Sequence, residues 1–156
     1  MFLPGKDDRA VMDKHRLSRL LVEGDRSIAA AWADAIASCH DVAVERPPHK
    51  SLVMARARDS VRQQPFYVGE ILVTECTVKV DGVIGFGMIM GDEPDMAWRL
   101  AVIDAACNAH LPEVEEWLPR LLAEERVIAA RQQGEYTKAA RTRVNFETVE
   151  DYIGKV

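Results

Sequence analysis

Acidic side chains are the first candidates for chemistry in this sequence, because a positioned carboxyl group can donate or accept a proton during a reaction. Glu70 and Glu75 lie in or next to an apolar segment, and Asp104 follows in a later helical pattern. Sequence spacing pairs none of these carboxylates, and a solvated strand position explains Glu75 at least as well as a catalytic role does. Acid–base catalysis by these residues is therefore kept as one hypothesis.

Thiol and imidazole groups form no recognisable site. Three cysteines are far apart and include no CxxC pair: Cys39, Cys76 and Cys107. Four histidines lack HExxH or any similar metal-ligand spacing: His15, His40, His49 and His110. Because each cysteine falls on a predicted apolar face, we expect three reduced and packed thiols. We predict no catalytic residue, no metal site and no cofactor bound by this chain alone.

Basic side chains collect near the C-terminus, where they could meet phosphates or the acidic surface of another protein. They are Arg131, Lys138, Arg141 and Arg143. The sequence predicts a helix from Arg120 to about Arg143, but large apolar residues nearly stop after Ala130. A helix with so few core contacts would be marginal in water, so we predict that residues 120–156 form an arm that docks on a partner. A solvated terminal helix is the alternative.

Helical patterns in the first forty residues predict a hairpin of two helices. The first helix is predicted to start after the plausible caps Asp7 and Asp8. Val11, Leu17, Leu20 and Leu21 form its apolar stripe, and Gly24 suits its end. Asp25 is a predicted cap of the second helix. The apolar face expected for this second helix carries Ile28, Trp32, Ala35 and Cys39.

Alternating patterns then predict about four strands of an antiparallel sheet. A short strand at residues 42–45 should end at Pro47 and Pro48. A second strand follows at 52–58, and the polar residues 59–64 are the best candidate for a mobile loop. Residues 71–80 and 83–90 flank Asp81-Gly82, which predicts a β-hairpin with a two-residue type I′ turn.

The glycines of this hairpin predict where the next helix packs. Gly85 and Gly87 share one strand face, where the missing side chains let another backbone approach closely. They lack the GxxxxGK[ST] pattern of a phosphate loop. The helix expected there has Asp92 as its cap, and its buried stripe is Met96, Leu100, Ile103 and Cys107. Pro112 and Pro119 should bracket a short helical piece.

The expected fold is therefore α+β, in one domain over residues 1–156. It has a central Asp-Gly hairpin, helices packed on one sheet face, an N-terminal helical hairpin and a C-terminal helical arm. The formal net charge is −5, whereas chains that depend on nucleic acid are usually basic. The start, MFLPGKDD, lacks the apolar run of a signal peptide, and no segment is long enough to span a bilayer. We expect a cytoplasmic protein without nucleic-acid or membrane partners.

Two sequence blocks resemble the PhnG family, the G subunit of the bacterial carbon–phosphorus lyase system for phosphonate use. The first is PFYVGEILVTECTVKVDGVIGFGMIMGD, continued by AWRLAVIDAAC. The second is ERVIAARQQGEYTKAARTRVNFETV, near the C-terminus. Neither block contains a catalytic motif. The resemblance rests on the similarity, order and spacing of the blocks from the hairpin almost to the end of the chain.

The resemblance implies a subunit of a larger complex. Members of this family join H, I and J subunits in a core complex, and with an ATP-binding-cassette-type L subunit they support synthesis of α-D-ribose 1-methylphosphonate 5-triphosphate. MgATP and methylphosphonate are the substrates of the complex, and adenine is released. The resemblance implies that the I subunit carries the nucleosidase-like chemistry, and that the J subunit carries the iron–sulfur and S-adenosylmethionine chemistry.

Three hypotheses follow for the role of this chain. The first is a non-catalytic subunit whose basic arm docks on a partner, the I subunit in particular; its candidate contacts are Arg131, Lys138, Arg141, Arg143 and Phe146. The second is an enzyme that uses Glu70, Glu75 or Asp104 on a phosphorylated ribose. The third is a stand-alone nucleotide- or phosphonate-binding module. A homodimer of the isolated chain is compatible with the first.

Overall fold

A computed structural model describes residues 13–142 as four helices and a three-stranded antiparallel sheet. The helices are α1 (Lys14–Glu23), α2 (Arg26–Cys39), α3 (Pro94–Asn108) and α4 (Pro112–Arg141). The strands are β1 (Val42–Arg58), β2 (Pro65–Val80) and β3 (Val83–Met90), in the spatial order β1-β2-β3. The predicted α+β class is confirmed, but the described residues contain three strands where about four were expected.

The difference in strand number arises because the two strands predicted at 42–45 and 52–58 form the single strand β1. β1 continues through Pro47 and Pro48 to Arg58, and its pairing with β2 shifts register between Arg46 and His49. The prediction that the prolines end a strand was wrong. β1 lies at the edge of the sheet, where a proline need not donate a ladder hydrogen bond, and the register shift accommodates the pair.

A two-residue turn joins β2 to β3. Asp81 and Gly82 both have positive φ, at 49° and 82°, which suits a turn that follows the twist of the flanking strands. Val80 pairs with Val83, and Val78 and Cys76 pair with the glycines Gly85 and Gly87.

Helix α3 packs on the glycine face of this hairpin, as predicted. A Cβ atom added at Gly85 would overlap the backbone of Ala101 and Ala105, and one added at Gly87 would overlap the carbonyl oxygen of Ala97. Helix and strand are therefore in backbone contact, which only glycine permits. The core forms between this face and the helices.

Helix α3 begins one residue later than predicted. Glu93, not Asp92, is the N-cap residue, and its side chain makes no cap hydrogen bond. Its backbone N–H instead donates to the buried hydroxyl of Thr74 at 3.0 Å, and that hydroxyl donates to the Gly91 carbonyl at 2.6 Å. Asp92 pairs with Lys50 at 2.6 Å. The turn before α3 is thus held by a β2 side chain rather than by the expected cap.

The predicted N-terminal helical hairpin is confirmed from Lys14 onward, with a rotated second helix, whereas Asp7, Asp8 and Val11 lie outside the described residues. Asp25 caps α2 by accepting from the Ser27 backbone N–H at 2.9 Å. The buried residues of α2 are Ile28, Ala29, Ala33 and Ile36. Ala35 and Cys39 are exposed, so the face assigned to them was wrong. The small residues Ala29 and Ala33 pack into the core, whereas the predicted face passed through Trp32, Ala35 and Cys39.

One continuous helix replaces the two helical pieces expected near the C-terminus. Pro119 lies inside α4 rather than at its end. Trp117 of α4 stacks on Trp32 of α2, with ring centroids 4.6 Å apart and planes inclined by 5°. Leu121 and Ile128 continue the buried side of α4. This packing on both sides of Pro119 compensates for the backbone hydrogen bond that proline cannot make.

Candidate docking surfaces

The sheet face opposite α3, here called the open face, carries a row of large apolar side chains. They stand at alternate positions of β3 and are 47% to 67% exposed: Ile84, Phe86, Met88 and Met90. Their neighbours on β2 are mainly polar, with Thr77 opposite Phe86 and Glu75 opposite Met88. The described residues leave this face uncovered. An exposed apolar row with a polar border is typical of a protein–protein contact surface.

Polar side chains beside this row are paired with one another. His49 Nε2 lies 3.7 Å from a carboxylate oxygen of Glu75, and Lys79 Nζ lies 2.7 Å from a carboxylate oxygen of Glu45. Each pair joins β1 to β2. These contacts position the polar border of the open face, and they place Glu75 opposite a histidine rather than another carboxylate.

A two-stranded extension of the sheet is the second exposed surface. We call residues 52–58 of β1 and 65–72 of β2 the ribbon, because they pair with each other beyond the end of β3. Its exposed large apolar side chains are Leu52, Val53, Met54, Phe66, Tyr67, Val68 and Leu72. Residues 59–64, predicted as a loop, form the turn at its tip.

The basic arm predicted from the sequence lies partly on the body of the protein. Leu121 and Ile128 are buried, and a guanidinium nitrogen of Arg131 donates to the Glu23 carbonyl at 3.0 Å, at the end of α1. Lys138 and Arg141 lie exposed in the last turns of α4. Arg143 and Phe146 lie outside the described residues. None of the residues in the described range 13–142 covers the end of α4.

The three carboxylates considered for catalysis do not converge. Glu70 pairs with Met54 on the ribbon, and Glu75 lies on the open face. Asp104 accepts from the Phe86 backbone N–H at 3.0 Å and pairs with Lys14 at 2.9 Å, so it stabilises the β3 edge. Within residues 13–142, no group of three or more potential ligands could hold a metal ion. No helix in this range has the length and hydrophobicity of a membrane span.

The cysteines differ in their surroundings. Cys76 is buried, and desolvation raises the pKa of its thiol. Cys107 is partly buried, and desolvation, followed by the charge of Asp104, raises the pKa of its thiol to about 11. Cys39 is exposed, so the expectation of three packed thiols holds for only two of them. At neutral pH the two enclosed thiols are protonated and therefore poor nucleophiles.

A histidine joins three elements at one end of the molecule. His40, after α2, places Nδ1 at 2.6 Å from the Asp81 carboxylate in the β2–β3 turn. Its Nε2 lies 3.2 Å from the Glu113 carboxylate in the first turn of α4. Hydrogen bonds to Asp81 and then Glu113 raise the pKa of His40. The hydrogen bond with His40 lowers the pKa of Asp81, and a backbone hydrogen bond followed by His40 lowers that of Glu113.

These shifts predict a stability contribution with an optimum in pH. The raised pKa of His40 stabilises the fold fully below its unfolded value of about 6.5, and this contribution is lost as pH rises through the folded value. The lowered pKa values of Asp81 and Glu113 stabilise the fold above about pH 4, and that contribution is lost in acid. The difference in Tm between the parent chain and a His40→Gln variant should be largest near pH 5 to 6 and small by pH 9.

The exposed His15 provides the matched control for this pH series, because replacing it by glutamine removes a histidine from outside the cluster. The His15→Gln variant should follow the parent Tm across the same range. Equal pH profiles for the parent and the His40→Gln variant would contradict a stabilising role of the cluster.

Sequence reasoning missed the His40 cluster and the exposure of the apolar row on the open face. His40 meets Asp81 and Glu113 over separations of 41 and 73 residues, which no local motif encodes. The open face did leave a signal, because the alternation that aligns Gly85 with Gly87 places Ile84, Phe86 and Met88 on the other side. What the sequence did not reveal is that nothing in the described chain covers that side.

Known proteins resemble this chain over nearly its whole length. The family model described as "Phosphonate metabolism protein PhnG" matches residues 12–150. The chain is also similar to the alpha-D-ribose 1-methylphosphonate 5-triphosphate synthase subunit PhnG of Rhizobium meliloti (strain 1021). The two are 31% identical over 147 residues, which cover 92% of each chain. The matched range includes every described helix and strand, and so both exposed surfaces.

Proposed function

The chain belongs to the PhnG family of phosphonate metabolism proteins, and we propose that it acts as the G-type subunit of α-D-ribose 1-methylphosphonate 5-triphosphate synthase. Family membership over residues 12–150 is the observation that carries this proposal. The relative from Rhizobium meliloti is named as a subunit of that synthase, and its length is matched almost completely.

The exposed surfaces support a role as a subunit. An apolar row on an uncovered sheet face is more easily explained as a protein contact than as a catalytic centre. The candidate carboxylates Glu70, Glu75 and Asp104 lie in three different settings, without the mutual geometry that acid–base catalysis requires. In this proposal the chain completes or shapes an active site that belongs to a partner.

The proposal assigns the substrates to the complex rather than to this chain. MgATP and methylphosphonate would bind where the ribosyl transfer takes place, in the I subunit, with H and J subunits completing the core complex. The chain alone would bind no cofactor. A cytoplasmic location belongs to the same proposal, since the substrate nucleotide is made and used there.

The C-terminal arm, residues 120–156, is the predicted contact with the I subunit. Its candidate contacts are Arg131, Lys138, Arg141, Arg143 and Phe146. Exposure of Lys138 and Arg141 at the end of α4 supports this assignment. Arg131 already binds the end of α1, so in this proposal it orients the arm as well as contacting the partner.

Co-expression with the H, I and J subunits tests the proposal. The chain should elute with them in one peak by size-exclusion chromatography with light scattering, and synthase activity should require its presence. Replacing Arg141, Arg143 and Phe146 together by alanine should weaken binding to the I subunit by about tenfold to 100-fold, because charged and aromatic side chains dominate many interfaces.

Two outcomes would contradict these assignments. If the parent chain elutes as a separate monomer and the other subunits are fully active without it, the subunit role is wrong. Tight binding of nucleotides or phosphonates by the lone chain would then favour a stand-alone binding module. If the parent binds and the triple alanine variant binds equally well, only the role of the arm is wrong.

A further inference from the structure

The ribbon begins where β3 stops pairing with β2. Met90 is the last β3 residue in the ladder and lies opposite Val73. Gly91 then turns the chain away with φ of 94°, and its N–H closes the ladder by donating to the Leu72 carbonyl at 2.9 Å. Residues 65–71 of β2 therefore have only β1 as a neighbour. Both edges of the ribbon present backbone groups that can pair with another strand.

Apolar side chains lie on both faces of the ribbon. Leu52 and Met54 alternate with Val53 along β1, so they point to opposite faces, and all three are 40% exposed or more. Phe66 and Tyr67 add two exposed aromatic rings close to the tip. A two-stranded ribbon is marginal on its own in water. A flat partner surface would cover one face only, whereas a cleft would cover both.

The tip of the ribbon is basic. Arg56 and Arg58 lie at the end of β1, and Arg62 lies in the turn. None of these guanidinium groups has an ion-pair partner within residues 13–142. The one carboxylate of the turn, Asp59, accepts from the backbone N–H groups of Val61 and Arg62 at 3.0 Å and 3.3 Å. On a chain whose net charge is −5, this local excess of positive charge favours an acidic partner.

We propose that the ribbon inserts into a cleft of another protein subunit, one with apolar walls and carboxylates at its inner end. This inference rests on the proposed function, because it identifies the contact through which the chain joins its complex. The apolar faces meet the walls, and the arginines of the tip meet the carboxylates, where guanidinium groups bind in bidentate geometry.

Two depressions on the described surface of this chain are poor sites for the ribbon of a second copy. One depression, of about 470 Å³, lies at the start of α3 and is lined mainly by charged residues: Arg26, Asp92, Glu93, Asp95 and Arg99. Another, of about 330 Å³, lies between α1 and α4 and includes Arg16 and Arg19. Both are small for a two-stranded ribbon, and the first has charged rather than apolar walls. The occupant is therefore assigned to a different protein.

The test compares charge changes at two places on the full chain. Arg56→Gln with Arg58→Gln removes two positive charges from the tip, and Ala31→Glu with Ala35→Glu changes the net charge by the same amount on the exposed side of α2. Binding to the co-expressed H, I and J subunits is then measured by biolayer interferometry. We expect about 100-fold weaker binding for the tip variant and a change within about threefold for the control, since hot-spot arginines dominate interfaces.

A shortened ribbon provides a second, independent variant. Replacing residues 54–70 by Asn-Gly would join Val53 to Ile71, which already pair, through a favourable hairpin turn. Its Tm should stay close to that of the parent because the ribbon lies outside the core, and its binding should be lost. In the intact complex, hydrogen exchange at the backbone amides of residues 66–71 should be slowed.

The outcomes separate this inference from the proposed function. If the parent chain binds none of the subunits, the proposed function fails. If the parent binds and both ribbon variants bind equally well, the ribbon assignment is overturned while the subunit role stands. If light scattering reveals a homodimer that the tip variant abolishes, without effect on the mixed complex, the partner is a second copy and the inference is wrong.

Discussion

Replacement of Gly87 by alanine should strongly destabilise the fold of this chain. The added Cβ would overlap the Ala97 carbonyl oxygen and lie 2.5 Å from the Ala101 backbone nitrogen. Both are backbone atoms of α3, so relief requires the helix to move off the sheet and expose the core between them. We expect a loss of about 3 kcal/mol or more in the free energy of unfolding, at the upper end for overpacking. Urea unfolding followed by circular dichroism measures this loss.

The same substitution at Gly134 is the matched control. A Cβ there meets nothing within 4 Å, and the residue lies inside α4. Alanine is favoured over glycine in a helix by about 1 kcal/mol, so Gly134→Ala should be neutral or stabilising. A Gly87→Ala variant with parental stability would mean that β3 and α3 do not make the close backbone contact described above.

Replacing both Phe86 and Met88 by aspartate should prevent the chain from joining its complex, while the chain itself stays folded. Both side chains are about half exposed on the open face, at 48% and 47%, so their replacement should change the stability of the isolated chain little. A contact surface over this row would instead have to bury two carboxylates without partners. We expect a loss of about 3 kcal/mol or more in binding free energy, which is over 100-fold in Kd. Titration of the other subunits by isothermal calorimetry measures it.

Aspartate at Ala31 and Ala35 provides the comparison for this variant. Both residues are exposed on α2, and the change in net charge is the same. The α2 variant should bind like the parent. Equal binding by the Phe86 and Met88 variant, with both proteins folded, would show that the open face remains free in the complex and that the apolar row has another role.

Local rules predicted those elements whose determinants lie close together in the chain. Gly85 and Gly87 predicted the contact with α3, because in any fold a missing side chain lets a neighbouring backbone approach closely. Asp25 was recognised as a cap because its hydrogen-bond donor, Ser27, is two residues away. The errors arose where tertiary position overrides a local rule. Pro47 is tolerated because β1 is an edge strand, and Pro119 because tryptophan stacking and buried residues hold α4 on both sides.

The candidate site was predicted less completely than the fold, for a physical reason. Apolar residues in a strand indicate burial, and the sequence does not distinguish burial by the chain itself from burial by another protein. Leu52 and Met88 lie in predicted strands, and the structure shows that both are exposed. The basic arm was predicted as a contact for the opposite reason, because large apolar residues nearly stop after Ala130. Assignment of the arm as a contact remains a prediction.

The free edges of the ribbon also bear on how the protein must be produced. An uncovered strand edge beside exposed apolar side chains is a template for pairing with other chains, so an orphan copy made in excess of its partners would aggregate. Unlike many edge strands, the ribbon has no covering helix or loop among the described residues. Its three arginines at the tip supply some charge repulsion between identical copies. Balanced synthesis of the subunits would therefore serve as the main protection against self-association in the cell.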